Sequence, residues 1–446
     1  MWVNDKRRTI RRTAALAIGS VLIAMGATPA QAAPGAPGTA GEPRIVFEER
    51  FENASAITIL DDYRGPQEWV YPMYTADRGW LPRMGGCNGW VAGSADANPP
   101  SDSCSAWDKF RAMAWALGQA QGTSDADSNH AVSELTTAAD LTKEAGLMLR
   151  TRKNAAKAIP GRFYAASNFV ATTSCTDGPQ PNLALNLLVN GRPTSLADGL
   201  SPCSSKPVVK NGYEVWTKQL YSSAMLIERN EYLGMQMENA ATSGGYDGAF
   251  DLPQILDVTP QLDHSLHLSG SSLTGNLTYT ITNTKDLLVK QGWSFSAGLP
   301  GWAKVSGEPV TTCDQGSVQT DGQKVSVTGN LRAGEVSCTV TVPIEVAQGS
   351  DTLGPDSITG IKGLDLPGSA LLIPDGPQPP SGTPRPEIPG TGSSGSKAGS
   401  SANQPAPQAQ TGGSTSHSKG VQGLIVGFFL AGIGARVIIH RGVFAR

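Results

Sequence analysis

A chain of 446 residues with 52 glycines, 31 prolines, 16% charged residues and a formal net charge of −3 is long enough for two or three domains. Its turn-rich composition favours β structure joined by linkers. The near-neutral balance offers no electrostatic footprint for nucleic acid, and five histidines, with His417 and His440 in tail segments, leave little for histidine chemistry.

Residues Met1–Ala32 read as an export leader. Lys6, Arg7, Arg8, Arg11 and Arg12 precede an apolar run from Ala14 to Ala27, and Ala30-Gln31-Ala32 supplies a small-residue cleavage site. The residues after the paired arginines fit a twin-arginine signal poorly, so the expected route is the Sec pathway, with the mature chain starting near Ala33. Residues 33–43, rich in Ala, Pro and Gly, are expected to be disordered. Six cysteines in an exported chain imply disulfides, and sequence proximity suggests Cys87–Cys104, Cys175–Cys203 and Cys313–Cys338. Proximity leaves the connectivity of the first four open.

Residues 44–253 form a large predicted module. A short apolar strand at its start carries Glu48, Glu49 and Glu52. Between Tyr63 and Trp90 the aromatics Trp69, Tyr71, Tyr74 and Trp80 crowd among Gly, Pro and Arg. Such rings either pack on a core or stack on a ligand, and Trp69, Tyr71, Tyr74, Trp80 and Trp90 are the candidate ligand-binding set. Ser105–Gly118 is predicted to be a helix. Ser105 and Asp108 have capping-box spacing, Trp107, Phe110, Ala114 and Leu117 share a face, and Gly118 is a terminator. From Asn129 onward strands dominate, with Asn190–Gly191 and Asn211–Gly212 marking tight hairpins. Many short strands without βα alternation predict an antiparallel sandwich of jelly-roll type.

Residues 254–347 read as a second, smaller module, because Leu277, Tyr279 and Ile281 alternate with threonines and Val336, Cys338, Val340 and Val342 repeat the pattern. About seven short strands predict an immunoglobulin-like sandwich. Residues 348–420 are a predicted linker, a Pro/Gly/Ser-rich disordered stalk from about 374. Its Gly390–Gly395 run spells G-x-G-x-x-G without the strand and helix that would give it meaning. Residues 421–439 are an apolar segment read as a single transmembrane helix. Arg436, Arg441 and Arg446 then place residues 440–446 in the cytoplasm and the N-terminal modules outside.

The stretch Gly245-Tyr246-Asp247-Gly248-Ala249-Phe250-Asp251, followed by Asp257-Val258-Thr259-Pro260, resembles a junction found in Gram-positive bacterial surface proteins. There, a lectin-like jelly roll runs into an immunoglobulin-like repeat. Leu277–Asn283, Leu299-Pro300-Gly301-Trp302 and Cys313 with Leu331–Gly334 and Cys338 resemble that repeat. The resemblance covers about residues 45–347 and implies a surface protein or adhesin. It also implies a structural calcium between first and last jelly-roll strands, for which Glu49, Glu52, Asp247 and Asp251 are the matching acids. The sequence departs from the pattern at Tyr246 and in having one repeat. Ile388-Pro389-Gly390-Thr391-Gly392 lies too far ahead of the apolar segment for a normal sortase signal, so retention by the membrane helix is expected instead.

No histidine sits in a nucleophile-activating context, and Asp125–Thr136 lacks the Gly and Glu of a calcium loop. Asp61, Asp62, Glu134 and Glu214 are the carboxylates available to a glycosidase, and charged surface positions explain them equally well. The expectation is a non-enzymatic, membrane-anchored surface protein that binds a glycan or host-surface ligand, with no cofactor beyond the calcium. The alternatives are a structural stalk subunit and a glycoside hydrolase.

Overall fold

Two Asn–Gly pairs show how the local sequence shapes the sheets. Asn190 and Gly191 have φ of 50° and 74°, and Asn211 and Gly212 have 53° and 83°. These left-handed pairs close two-residue hairpins whose twist matches the flanking strands. The first joins Leu183–Val189 to Arg192–Leu200, and the second joins Val208–Lys210 to Tyr213–Tyr221. In this computed structural model the described residues are 36–65, 72–82, 86–135, 146–152, 154–176, 180–240, 247–269, 273–346, 352–367 and 371–372. The predicted leader, Trp69 and Tyr71, the stalk and the 421–439 segment lie outside them. Among the described residues no helix is long and apolar enough to cross a membrane.

Eight strands build the N-terminal sandwich: His130–Leu135, Gly146–Thr151, Arg162–Thr172, Leu183–Val189, Arg192–Leu200, Tyr213–Tyr221, Tyr232–Asn239 and Asp247–Asp257. Counted in chain order, one sheet runs first–eighth–third–sixth and the other second–seventh–fourth–fifth. All these pairings are antiparallel. That interleaving of two four-stranded sheets is a jelly roll. Short strands extend the first sheet to nine strands and the second to six. Between the sheets lie Tyr164, Val170, Phe250 and Ile255 from one side and Leu185, Leu187, Leu233, Met235 and Met237 from the other.

Asp247–Asp257 is the central strand, and all eleven residues are buried. One flank pairs with Arg162–Thr172 along most of its length. On the other, residues 247–250 pair with His130–Leu135, and residues 254–257 with Arg44–Glu48. The changeover falls at Leu252–Pro253, where Leu252 takes φ 53° and the register shifts. Proline cannot donate to a ladder, so this dipeptide makes a bulge inside one strand. It is not a module boundary; the sheet ends at Asp257, and the next strand begins at Gln261.

The predicted helix is present at Trp107–Gln121, displaced towards the C-terminus. Its N-cap is Ala106 without a side-chain cap bond, so the Ser105–Asp108 capping box does not form; Gly122, left-handed at φ 72°, ends it instead of Gly118. Gly118 serves packing, since a Cβ there would meet Asn129 Cβ at 2.8 Å. Trp107, Phe110, Ala114 and Leu117 cover Ala131, Ala171, Val215 and Ala249 on the outer face of the nine-stranded sheet. The three disulfides Cys87–Cys104, Cys175–Cys203 and Cys313–Cys338 are formed as the sequence suggested.

The second sandwich has one sheet built on Gln261–Leu268, Thr274–Thr282 and Ser337–Val346. The other runs Asp314–Thr320, Lys324–Leu331, Lys290–Gly298 and Ile358–Lys362. Tyr279, Ile281, Trp293, Phe295, Val340 and Val342 fill it. The sequence reading is corrected in three ways. Thr274–Thr282 pairs with Ser337–Val346, and Lys290–Gly298 with Lys324–Leu331. In an immunoglobulin domain the fifth strand joins the second and the sixth joins the third, so this sheet assignment differs. Alternation tells which face of a strand is buried, not which strand lies beside it. Val336 precedes its strand and is 40% exposed. Ile358–Lys362, expected to be linker, completes the second sheet.

The two sandwiches share a core and a charge cluster. Phe163, Ala165 and Leu256 of the jelly roll pack among the second sandwich's side chains. Arg162 donates to Asp257 and, with both terminal nitrogens, to Asp365, one of these bonds being 2.9 Å. Asp257 has no exposed side-chain surface and also takes Arg44 at 2.7 Å. Residues 36–43 are not disordered as expected. Gly38 N donates to Thr282 Oγ1 at 2.9 Å, and Lys285 N donates to Gly41 O at 2.8 Å, which lays this segment along the second sandwich.

Candidate functional site

The outer face of the six-stranded sheet carries a surface depression. Leu233, Met235 and Met237 point into the core, so Tyr232, Gly234, Gln236 and Glu238 face outward. Asn186 and Leu188 of the neighbouring strand and Arg150 of the other neighbour share that face, Arg150 standing opposite Gln236. A depression of about 360 Å³ opens here, lined by Thr75, Arg150, Thr151, Arg152, Asn154, Leu188, Gly191 and Gly234. Its floor needs glycine. A Cβ on residue 234 would come within 2.4 Å of Thr151 Oγ1, the acceptor for Met235 N.

Its side chains are fixed from behind. The Asn190–Gly191 turn presents Gly191 O to Arg150 Nη2 at 2.6 Å, and Asn190 Oδ1 takes Tyr232 N at 3.0 Å. Arg152 is tied to Tyr74 O and to Asp61. Gln236 donates Nε2 to Glu238, while its Oε1, in a residue only 5% exposed, has no donor. Tyr232 is 49% exposed, an aromatic surface beside a row of hydrogen-bonding groups. Together these offer a stacking ring and guanidinium donors, which suits a polyhydroxylated ligand.

The described members of the expected aromatic set, Tyr74, Trp80 and Trp90, do not share an exposed surface. Tyr74 and Trp80 are core residues at 0% and 1% exposure. Tyr74 lies beside Phe51 and Tyr63, and Trp80 lies 6.3 Å from Phe250. Trp90 is half-buried near the Cys87–Cys104 disulfide and donates Nε1 to Gly86 O at 3.0 Å. Trp69 and Tyr71 lie outside the described residues. Tyr74 and Trp90 belong to short strands near the sheet edges, Tyr74–Thr75 beside Gly146–Thr151 and Trp90–Gly93 beside His130–Leu135, so the ring of Tyr74 joins the core with that of Trp80.

The calcium set does not converge either. Glu49 is buried and takes Phe51 N at 2.8 Å and the Tyr63 hydroxyl at 2.9 Å; burial raises its carboxyl. Glu52 takes His130 Nδ1 at 2.8 Å, and this bond raises the imidazole against its burial. Asp247 pairs with Lys109 at 2.6 Å. Asp251 takes Gln121, Asn129 and Leu252 N, yet complete burial pushes it up to about 7. Each acid thus takes at least one donor of the protein, although Glu49 Oε2 is buried without one. Among the described residues no group of three His, Cys, Asp or Glu could hold a metal ion. Of the carboxylates weighed for hydrolysis, Asp61 pairs with Arg152, Glu134 is buried against Asn239, and Glu214 lies in the other sheet.

Sequence reading missed Tyr232, Gly234, Gln236 and Arg150. The available signal was a glycine in the outward register of a strand whose inward register is Leu233, Met235 and Met237.

No family model and no curated protein matches the chain. A solved structure, the N-terminal CBM22-1–CBM22-2 tandem domain of Xyn10C from Paenibacillus barcinonensis, is similar at a TM-score of 0.25 and 10% identity. The match covers 70% of this chain and 92% of that one. A likeness at that score carries no argument, and the jelly-roll assignment rests on the strand order itself.

Proposed function

We propose that this chain is a surface-displayed sugar-binding protein of adhesin type, without catalytic activity, that takes a glycan on the outer face of its six-stranded sheet. The observation that carries the reading is the depression over Gly234, with Arg150 and Arg152 in its lining and exposed Tyr232 on the same strand as Gly234. Display at the cell surface is supported by sequence alone, through the leader at 1–32 and the apolar segment at 421–439. One ring stacked on a sugar contributes on the order of 1–3 kcal/mol, so a single site binds weakly and useful adhesion needs many copies.

A second reading, a structural surface subunit with no small ligand, draws on the rigid union of the two sandwiches through Arg162, Asp257 and Asp365. A glycan array probed with the multivalent full-length chain separates the two. Glycan binding lost on Tyr232→Ala, with the melting temperature retained, is the expected result. A folded chain silent on every glycan would leave the structural subunit.

A further inference from the structure

Resting on that reading of the site, we infer that the ligand is an acidic sugar, bearing a carboxylate or sulfate, held by Arg150. The described cations of the jelly roll fall into three groups. Arg44, Arg50, Lys109, Arg111, Arg152, Arg162 and Lys210 each pair with a carboxylate. Arg64, Arg78, Lys157, Arg192, Lys206, Lys218 and Arg229 pair with no carboxylate among the described residues but are exposed to water. Arg150 alone among these described residues is half-buried without a carboxylate partner, and it lines the depression.

Arg150 carries its charge on the lining of the depression with no carboxylate of the protein paired to it, so the site presents a net positive group to whatever enters. Arg150 is held in place, since Gly191 O takes one Nη2 hydrogen at 2.6 Å. One hydrogen bond leaves most of the planar fork's five donors free, and that fork matches a carboxylate or sulfate with two parallel bonds. Arg152, on the same rim, is neutralised by Asp61 and contributes no net charge. The one carboxylate on the outward register, Glu238, is two residues beyond Gln236, at the end away from Gly234. Tyr232 would bear on the ring face. A neutral sugar makes that contact and leaves Arg150 unmatched.

The test uses the full-length chain and matched ligand pairs. One pair is a uronic-acid oligosaccharide and the same oligosaccharide after carboxyl reduction. The other is a sulfated oligosaccharide and its desulfated form. The expected result is that an acidic member binds about tenfold or more tighter than its neutral partner. Arg150→Gln should erase that difference, Arg150→Lys should keep part of it, and the two pairs tell carboxylate from sulfate. Equal affinity within both pairs, unchanged by Arg150→Gln but lost with Tyr232→Ala, would overturn the acidic ligand and leave the sugar-binding face standing. Absence of binding to all four, with the variants folded, would overturn both.

Discussion

Replacing Arg162 by Met tests the union of the two sandwiches. Arg162 begins a jelly-roll strand yet bonds Asp365, more than two hundred residues away, as well as Asp257, whose side chain has no exposed surface. Methionine keeps the aliphatic volume and removes all three bonds. Breaking a buried ion pair by deleting one partner costs about 3–5 kcal/mol, because the surviving charge stays buried. Here the loss falls at the lower end. Asp257 keeps Arg44 at 2.7 Å and Thr259 Oγ1 at 2.6 Å, and Asp365, whose side chain is 39% exposed, turns to water. About 3 kcal/mol in a unit of this size lowers the melting temperature by about 4 °C. Asp365→Asn alone should cost about 1 kcal/mol or less, as exposed pairs do. Because both changes act on one network, the double variant should be scarcely worse than Arg162→Met. Calorimetry and urea melts of the four proteins give the cycle. A shift below about 2 °C for Arg162→Met, or strictly additive effects, would refute the reasoning.

Two further outcomes are expected. Trp80→Ala should destabilise by about 3–5 kcal/mol, since the ring is 1% exposed against Phe250, and a stable variant with weakened glycan binding would restore Trp80 to the site. Stability should fall as pH rises from about 4 to 8. Asp251 is raised from 3.8 to about 7 when folded, so its contribution is complete below its unfolded value and is lost through pH 7, on the order of 4 kcal/mol. His130, also raised, adds a slope of the same sign. Urea midpoints at several pH values should show this slope, and Asp251→Asn should flatten it; an unchanged slope in the variant would assign the dependence elsewhere.

The strands of the second sandwich were legible because they alternate, as Lys324–Leu331 and Ser337–Val346 do. His130–Leu135 and Leu183–Val189 are buried almost throughout and were marked instead by composition and turns. Both Asn–Gly turns close hairpins. Three kinds of feature were not legible. Leu252–Pro253 reads as punctuation, and only the surrounding sheet turns it into a bulge. Gly118 reads as a helix stop, but the approach of Asn129 is what requires it, and that contact is tertiary. The aromatic loop shows the third kind: composition reports that Tyr74 and Trp80 prefer a surface to cover, not whether the surface is a ligand or the protein's own core. The site on Tyr232–Glu238 escaped notice because it is made of ordinary residues. Only the alternation of Leu233, Met235 and Met237 beneath them marks their outward register, and Arg150 joins them through strand pairing.

The meeting of Asp365 with Arg162 also decides where the protein would carry tension. Coming from the C-terminal side, the chain first forms the two-residue ladder of Leu371–Leu372 with Thr352–Leu353, which a pull would peel one bond at a time. The first firmly held point is then residues 363–365. Gly363 N bonds Gly161 O at 2.7 Å, Asp365 N bonds Pro260 O at 2.9 Å, and Asp365 grips Arg162. Gly161 and Arg162 belong to the jelly roll itself. The same segment is fastened to the second sandwich, since Leu262 N bonds Asp365 O at 3.0 Å and Gln261 Nε2 bonds Leu366 O at 2.8 Å. A pull that begins to unravel the chain at residue 372 would therefore load the joint itself, where one short segment holds both sandwiches, and would be shared between them.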